Sequence, residues 1–141
     1  MIFQRTYQWV LDRSPNTGKP KTQTRRLAKD GDIIITPSNH PLDHTARLSS
    51  PKSIFAVERN GRLLYEVGRT YAIQPGRGKH TLGRIRLRAI VREVAQEISE
   101  GDARAEGFAS PAEFREVWIE LYGRGELERL CYALVIERVM G

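Results

Sequence analysis

The chain has 141 residues, with 23 Lys and Arg against 17 Asp and Glu for a formal charge of +6, and its sequence pI is about 9.8. That length suits one domain, able to bury roughly 70% of its unfolded surface and hold a core without staples. The single cysteine, Cys131, excludes a disulfide framework within one chain, and no apolar run approaches the roughly 18 residues of a membrane span.

The charge is unevenly spread. Residues 1 to 90 carry 17 basic and 6 acidic side chains, net +11, whereas residues 91 to 141 carry 6 and 11, net −5. The basic surface therefore belongs to the first two thirds, where it favours nucleic acid or another polyanion as partner. Met1-Ile2-Phe3 reads as a short strand, and Met1-Ile2-Phe3-Gln4-Arg5 lacks the apolar region of a signal peptide, so a reducing cytoplasm is the expected setting. Tyr7, Val10 and Leu11 recur at helical spacing until Ser14-Pro15-Asn16-Thr17-Gly18 stops the helix.

Next comes Lys19-Pro20-Lys21-Thr22-Gln23-Thr24-Arg25-Arg26, in which Pro20 is the only apolar residue. Such a segment fills no core. Its cations and hydroxyls suit a phosphate backbone, a nucleobase or a solvated loop. Gly31-Asp32 turns into a short strand, Ile33-Ile34-Ile35, and residues 36–53 read as a long loop rich in Pro, Asn and Ser. His40 and His44 lie in that loop with Asp43, but no further His or Cys ligand is near and Pro41 opposes a helix that would align them. No metal site and no cofactor are expected.

Residues 53–57 and Leu63-Leu64-Tyr65 flank Asn60-Gly61, the preferred centre of a type I′ hairpin turn. A strand at Thr70 to Ile73 leads to Gln74-Pro75-Gly76-Arg77-Gly78-Lys79, a basic hairpin tip that lacks the spacing of a phosphate-binding loop. From Thr81 to Val91 the residues alternate, with Leu82, Ile85, Leu87 and Ala89 on the core side and Arg84, Arg86 and Arg88 outside. Guanidiniums in such a row lie about 7 Å apart, near the spacing of successive phosphates, although the same row equally keeps a half-buried sheet soluble.

The last third is helical and acidic. Ser99 caps a short helix that Gly107 ends, and Ser110-Pro111-Ala112-Glu113 is a capping box with proline at the first helical position. The helix it starts carries Phe114, Val117, Trp118 and Leu121 on one face, a stripe that reads as core packing. After a polar connection, Leu130 to Val139 closes the chain as a strand in which Cys131 is a small buried hydrophobe. The order contains no repeated βαβ crossover. An α+β fold is expected, a small mixed barrel or curled sheet flanked by helices in one domain spanning 1–141, with an insertion at about 36–53.

These residues carry a resemblance. The helix leading into Lys21-Thr22-Gln23-Thr24-Arg25-Arg26, Val67-Gly68-Arg69-Thr70-Tyr71, Gly83-Arg84-Ile85-Arg86, and Asp102 to Phe108 with the helix after it together resemble an ASCH domain of the PUA-like superfamily. The resemblance implies a PUA-like β-barrel with helices around a cleft and a role in binding RNA or a nucleotide. Some small bacterial members are amidohydrolases acting on N4-acetylcytidine, and another ASCH protein is described as a ribonuclease. Lys21 matches the lysine taken as general base, Thr24 the nucleophile and Glu106 the proton donor. The chain departs from that pattern in its length, its long loop and Arg25.

Elementary chemistry constrains this reading. Residues 21 and 24 share a face in a helical turn but not in an extended strand, so the catalytic reading requires a turn. A lysine at its ordinary pKa near 10.4 is protonated at pH 7; Arg25 and Arg26 favour the neutral amine and Glu106 the ammonium. Glu106 serves either as acid or as an ion-pair partner that orients Lys21. Three functions follow: an RNA- or nucleotide-binding module using Lys19, Lys21, Arg25, Arg26, Lys79, Arg84 and Arg86; an amidohydrolase or ribonuclease using Lys21, Thr24 and Glu106; or an interaction domain for an acidic protein. No membrane partner is expected.

Overall fold

The computed structural model describes residues 1, 3, 6–38, 41–45 and 53–139. Helix α1 (Tyr7–Leu11) precedes strands β1 (Gln23–Leu27), β2 (Ile33–Ile35), β3 (Pro41–Asp43), β4 (Ser53–Ile54), β5 (Ala56–Arg59), β6 (Arg62–Glu66), β7 (Thr70–Ala72) and β8 (Arg84–Val94). Helices α2 (Glu100–Ala105) and α3 (Pro111–Tyr122) follow, and β9 (Leu130–Val139) closes the chain. The architecture is α+β. One sheet has the order β1-β9-β8-β4, with β7 also paired to β8, and the second has the order β3-β2-β5-β6. Every pairing is antiparallel, so the sheets are not mixed, and the pairings among described residues close no barrel.

Residues 53–59 do not form one strand. The segment pairs with β8 as far as Ile54, then crosses at Phe55 to pair as β5 with β2, joining the two sheets. The Asn60-Gly61 turn forms as expected, with φ of 54° and 75°. Within the expected loop, Pro41–Asp43 instead forms β3 on the edge of β2, a position where proline's missing N–H costs nothing. His40 lies outside the described residues. Met1 and Phe3 belong to no strand, although Phe3 donates to and Met1 accepts from the backbone of Gln74.

On β8 the alternation is broken. The register shifts between Leu87 and Ala89, so an extra residue swings Ile90 to the core while Ala89 is only half buried. Leu82, expected on the core side, lies ahead of the strand and is exposed. Ile85, Leu87, Ile90, Tyr132 and Leu134 join Ile34 and Val57 in the core between the sheets. The opposite face of the first sheet meets the helices, where Cys131 joins Ala103, Phe108, Phe114 and Trp118. Strand β9 is thus buried on both faces from Cys131 to Ile136, which is why that part of its sequence is a continuous apolar run. Burial pushes the Cys131 thiol up to about 12, making it an unreactive part of the core.

One buried ionic strut ties the sheets together. Asp32 is 0% exposed and accepts hydrogen bonds from the Lys29 N–H at 3.0 Å, Arg59 Nε at 2.7 Å and the Tyr132 hydroxyl at 2.8 Å. Burial opposes its charge, but these bonds and the Arg59 guanidinium hold the carboxyl below its ordinary 3.8. Asp32→Asn is expected to cost about 2 kcal/mol, because it puts amide hydrogens against donors and leaves Arg59 uncompensated. Denaturant midpoints at neutral pH check this. The deficit should shrink as pH falls through the folded-state pKa of Asp32, where the native carboxyl also loses its charge.

Candidate functional site

Backbone bonds made far from one another in sequence bring Lys21 to Glu106. The Lys21 N–H donates to the Trp9 carbonyl at 2.9 Å, and the Thr22 N–H donates to the Ala105 carbonyl at 2.8 Å. The second bond sets position 21 against the end of α2, where Glu106 is the C-cap. Ser99 accepts from the Asp102 N–H at 3.1 Å to start this helix. Gly107 then turns the chain at φ +99°, and a Cβ there would lie 2.5 Å from the Trp9 ring, so only glycine allows α1 to approach.

The expected helical turn at residues 21–24 is absent. Lys21 and Thr22 lie ahead of β1, which begins at Gln23, yet Lys21 and Thr24 line the same cavity. Two features permit this: the backbone at residue 21 is irregular, freeing it from the alternation of a strand, and β1 is the edge of its sheet. A cavity beside an edge strand meets side chains from both faces. Its volume is about 370 Å³, within the range of small-ligand sites.

Lys21, Thr24, Arg25, Arg26 and Glu106 form the polar side of this cavity, with Phe3 and Thr6 beside them. Phe108 and the α3 residues Phe114, Val117, Trp118, Leu121 and Tyr122 supply its apolar lining, with Lys21 Nζ 5.9 Å from the Phe108 ring centroid and the Arg25 guanidinium carbon 6.0 Å from that of Phe114. The α3 stripe is therefore only partly core. Phe114 and Trp118 are buried beneath the wall, whereas Leu121 is 49% exposed. The rings run in sequence, with Phe108 and Phe114 centroids 5.9 Å apart, Phe114 and Trp118 5.6 Å, and Trp118 and Tyr122 4.5 Å. Capping by Ser110, which accepts from the Glu113 N–H at 3.2 Å, fixes where this helix begins and hence where the wall stands.

On the polar side, Lys21 and Glu106 are 5% and 2% exposed, and Lys21 Nζ donates to Glu106 Oε1 at 3.0 Å. Arg25 donates from Nη1 to the other oxygen, Oε2, at 3.1 Å. The same guanidinium also bonds Gln23 Oε1 at 3.0 Å, Asp102 Oδ2 at 3.2 Å and Glu93. Burial works against the Arg25 charge, but Glu106 and Glu93 hold it more firmly protonated than a free guanidinium. For Lys21 the balance falls the other way. Burial pushes its pKa below the ordinary 10.5; Glu106 opposes this, while Arg25 and Arg26 reinforce it. Glu106 is shared between two cations, so it does not hold the lysine proton as a private partner would.

The remaining candidates divide. Among the described residues Thr24 makes no side-chain hydrogen bond, and Arg26 makes neither hydrogen bond nor ion pair, its Nε being buried without a partner. Lys19 and Lys79 are exposed and do not line the cavity, nor do Arg84 and Arg86. Strand β9 separates β8 from β1, and the two arginines reach the other way, Arg84 Nη2 to Thr70 Oγ1 at 3.0 Å and Arg86 Nη1 to the Gly68 carbonyl at 3.1 Å. Arg84 and Arg86, expected in one cleft with Lys21, Arg25 and Arg26, thus stand outside the cavity that those three line. Among described residues no cluster of three or more His, Cys, Asp or Glu suits a metal, and no helix is long and apolar enough to cross a membrane.

Sequence reasoning missed Gln23, Glu93 and Asp102 as members of the site. Asp102 and Glu106 stand four apart, the spacing that puts two carboxylates on one helical face, and this signal was available. Glu93 carried none, since it reaches Arg25 across β9.

No family model and no curated protein matches this sequence. The fold is similar to that of the crystal structure of protein EF3133 from Enterococcus faecalis V583, of the DUF984 family. That likeness has a TM-score of 0.52 at 18% identity and covers 96% of this chain and 71% of the other.

Proposed function

We propose that this chain is an ASCH-like domain, its two sheets forming the curled framework of a PUA-like fold, and that it hydrolyses an exocyclic amide on a nucleoside-sized ligand. The observation that carries this reading is the convergence of Lys21, Thr24 and Glu106 on one cavity with an aromatic wall. The wall suits a flat heteroaromatic ring, which stacks on such side chains. N4-acetylcytidine is the test substrate.

In this mechanism the neutral Lys21 amine takes the Thr24 hydroxyl proton as Oγ1 attacks the acyl carbonyl. The amide C–N bond then breaks, the leaving amine takes the proton from the Lys21 ammonium, and an acyl ester remains on Thr24. Water, giving a proton to Lys21, attacks the ester, and the acid leaves as Thr24 regains its proton. Both Glu106 oxygens accept hydrogen bonds from cations, so Glu106 orients Lys21 and steadies its charged form instead of donating a proton itself.

A second reading, an RNA- or nucleotide-binding module without chemistry, draws on Arg26, which meets no carboxylate among the described residues, and on the +6 charge. The buried thiol and the lack of cystine suit a cytoplasmic setting for either. One experiment separates them: acetate release from N4-acetylcytidine, run beside titration of a short RNA at rising salt. Turnover is the expected result. No turnover with RNA binding that falls steeply with salt would leave the binding module, since phosphate contacts release counterions. Neither result would leave the interaction domain for an acidic protein.

A further inference from the structure

Strand β1 turns its backbone as well as its side chains toward the cavity. The Ile136 N–H donates to the Thr22 carbonyl at 2.8 Å and the Ala28 N–H to the Leu130 carbonyl at 3.1 Å. These bonds bracket a ladder in which Thr24 stands across from Leu134 and Arg25 across from Ala133. Hydrogen-bonded pairs alternate along an antiparallel ladder, so Thr24 and Arg26 commit their N–H and C=O groups to β9, while those of Arg25 point away from it. Strand β1 is the edge of its sheet, and the Arg25 N–H makes no hydrogen bond among the described residues. Thr24, Arg25 and Arg26 line the cavity in succession, so the space beside this edge is the cavity itself. Arg25 is buried, which leaves its N–H an unpaired donor shielded from water, and such a donor is costly until an acceptor arrives.

This donor belongs to the residue directly after Thr24, so only a few covalent bonds separate it from the Thr24 hydroxyl. Resting on the amidohydrolase reading, we propose that the Arg25 backbone N–H is the oxyanion donor of the reaction. As Thr24 Oγ1 bonds the acyl carbon, Lys21 takes the hydroxyl proton and the carbonyl π pair moves onto the acyl oxygen. The Arg25 N–H bonds that oxygen as its charge develops, and does so again when water attacks the acyl ester. Such a donor contributes most when it is held in place before the reaction. Residue 25 is held from two directions: its flanking residues by the ladder to β9, and its guanidinium by Glu93, Asp102 and Glu106. A donor N–H on the residue after the nucleophile serves acyl transfer on an unrelated α/β fold in the same way.

The test uses benzyl trifluoromethyl ketone, which presents a ring and an electrophilic carbonyl but has no leaving group, so attack by Thr24 stops at the tetrahedral oxyanion. Fluorine NMR reads the adduct, and proton–nitrogen correlation spectra of the isotope-labelled protein read each backbone amide. The expected result is a bound fluorine resonance that Thr24→Ala removes, with a downfield shift of the Arg25 amide proton and its protection from solvent exchange. The Thr24 and Arg26 amide protons, already bonded to β9, should move little. Replacing the Arg25 nitrogen by oxygen, through the α-hydroxy acid analogue of arginine in a full chain assembled by ligation, supplies the kinetic readout. It should lower kcat on N4-acetylcytidine by about 10²- to 10³-fold with KM and Tm nearly unchanged, because the lost N–H bonds only the reacting oxygen. A Thr24-dependent adduct that leaves the Arg25 amide proton unmoved, or full turnover by the ester-containing chain, would overturn the proposal and keep the hydrolase reading. No adduct, or one that survives Thr24→Ala, would end attack by Thr24 and the proposal with it.

Discussion

Thr24→Ala and Lys21→Met are each expected to lower the rate of amide hydrolysis by about 10³-fold or more, and the double variant should be no slower than the worse of the two. The two residues perform one step, proton removal and attack, so losing either loses the step. Thr24→Ala removes a hydroxyl with no partner among the described residues, which leaves nothing buried and unpaired. Lys21→Met removes a cation from Glu106, but Arg25 still bonds that carboxylate, so both proteins should melt near the unmutated one. The pH profile distinguishes a base from an orienting cation. Burial holds the Lys21 pKa below 10.5, so activity should rise with pH through the folded-state pKa and level off before the ordinary lysine value. The same shift makes the unfolded chain bind more protons than the native one between those two values, so stability should also rise with pH across that window. Activity that fell across this range, or that survived Lys21→Met, would remove Lys21 from the mechanism.

What could be read in the residues was chiefly what is decided locally. The Asn60-Gly61 turn, the Ser110 N-cap and the Ser99 cap each depend on residues within four positions of one another, and each formed where expected. The apolar run of β9 and the buried Cys131 followed from composition alone. Features set by distant partners were hidden. A bulge in β8 follows from pairing with β9, so the alternation alone placed Ala89 in the core. Pro41–Asp43 looked like loop because proline is poor in a strand, yet an edge beside β2 accepts it. The α3 stripe was legible as apolar, but not as a cavity wall, because the polar lining comes from Lys21 to Arg26. Within the site, Lys21, Thr24 and Glu106 emerged through family resemblance, whereas the different lives of the adjacent Arg25 and Arg26 depend on which side of an edge strand meets three carboxylates.

Arg25→Met is expected to be the most damaging single change to the fold, costing about 3–5 kcal/mol. The side chain is 1% exposed and touches Glu93, Asp102 and Glu106. These carboxylates belong to three places: the end of β8, the middle of α2 and the cap of α2. One guanidinium therefore ties the sheet to the helices that build the cavity. Methionine fills most of the volume but answers none of the charges, leaving Lys21 as the only cation bonded to Glu106, and neither Glu93 nor Asp102 with its arginine. Lysine should rescue little, since one ammonium cannot span acceptors that a planar fork reaches on three sides. Glu93→Gln combined with Arg25→Met should recover part of the loss by removing one uncompensated carboxylate, an interaction that a double-mutant cycle reads directly. Additive losses in that cycle would mean that Arg25 contributes packing alone. Because Glu106 would then face Lys21 by itself, a folded Arg25→Met protein should also hold the Lys21 proton more tightly, moving the rise in activity to higher pH.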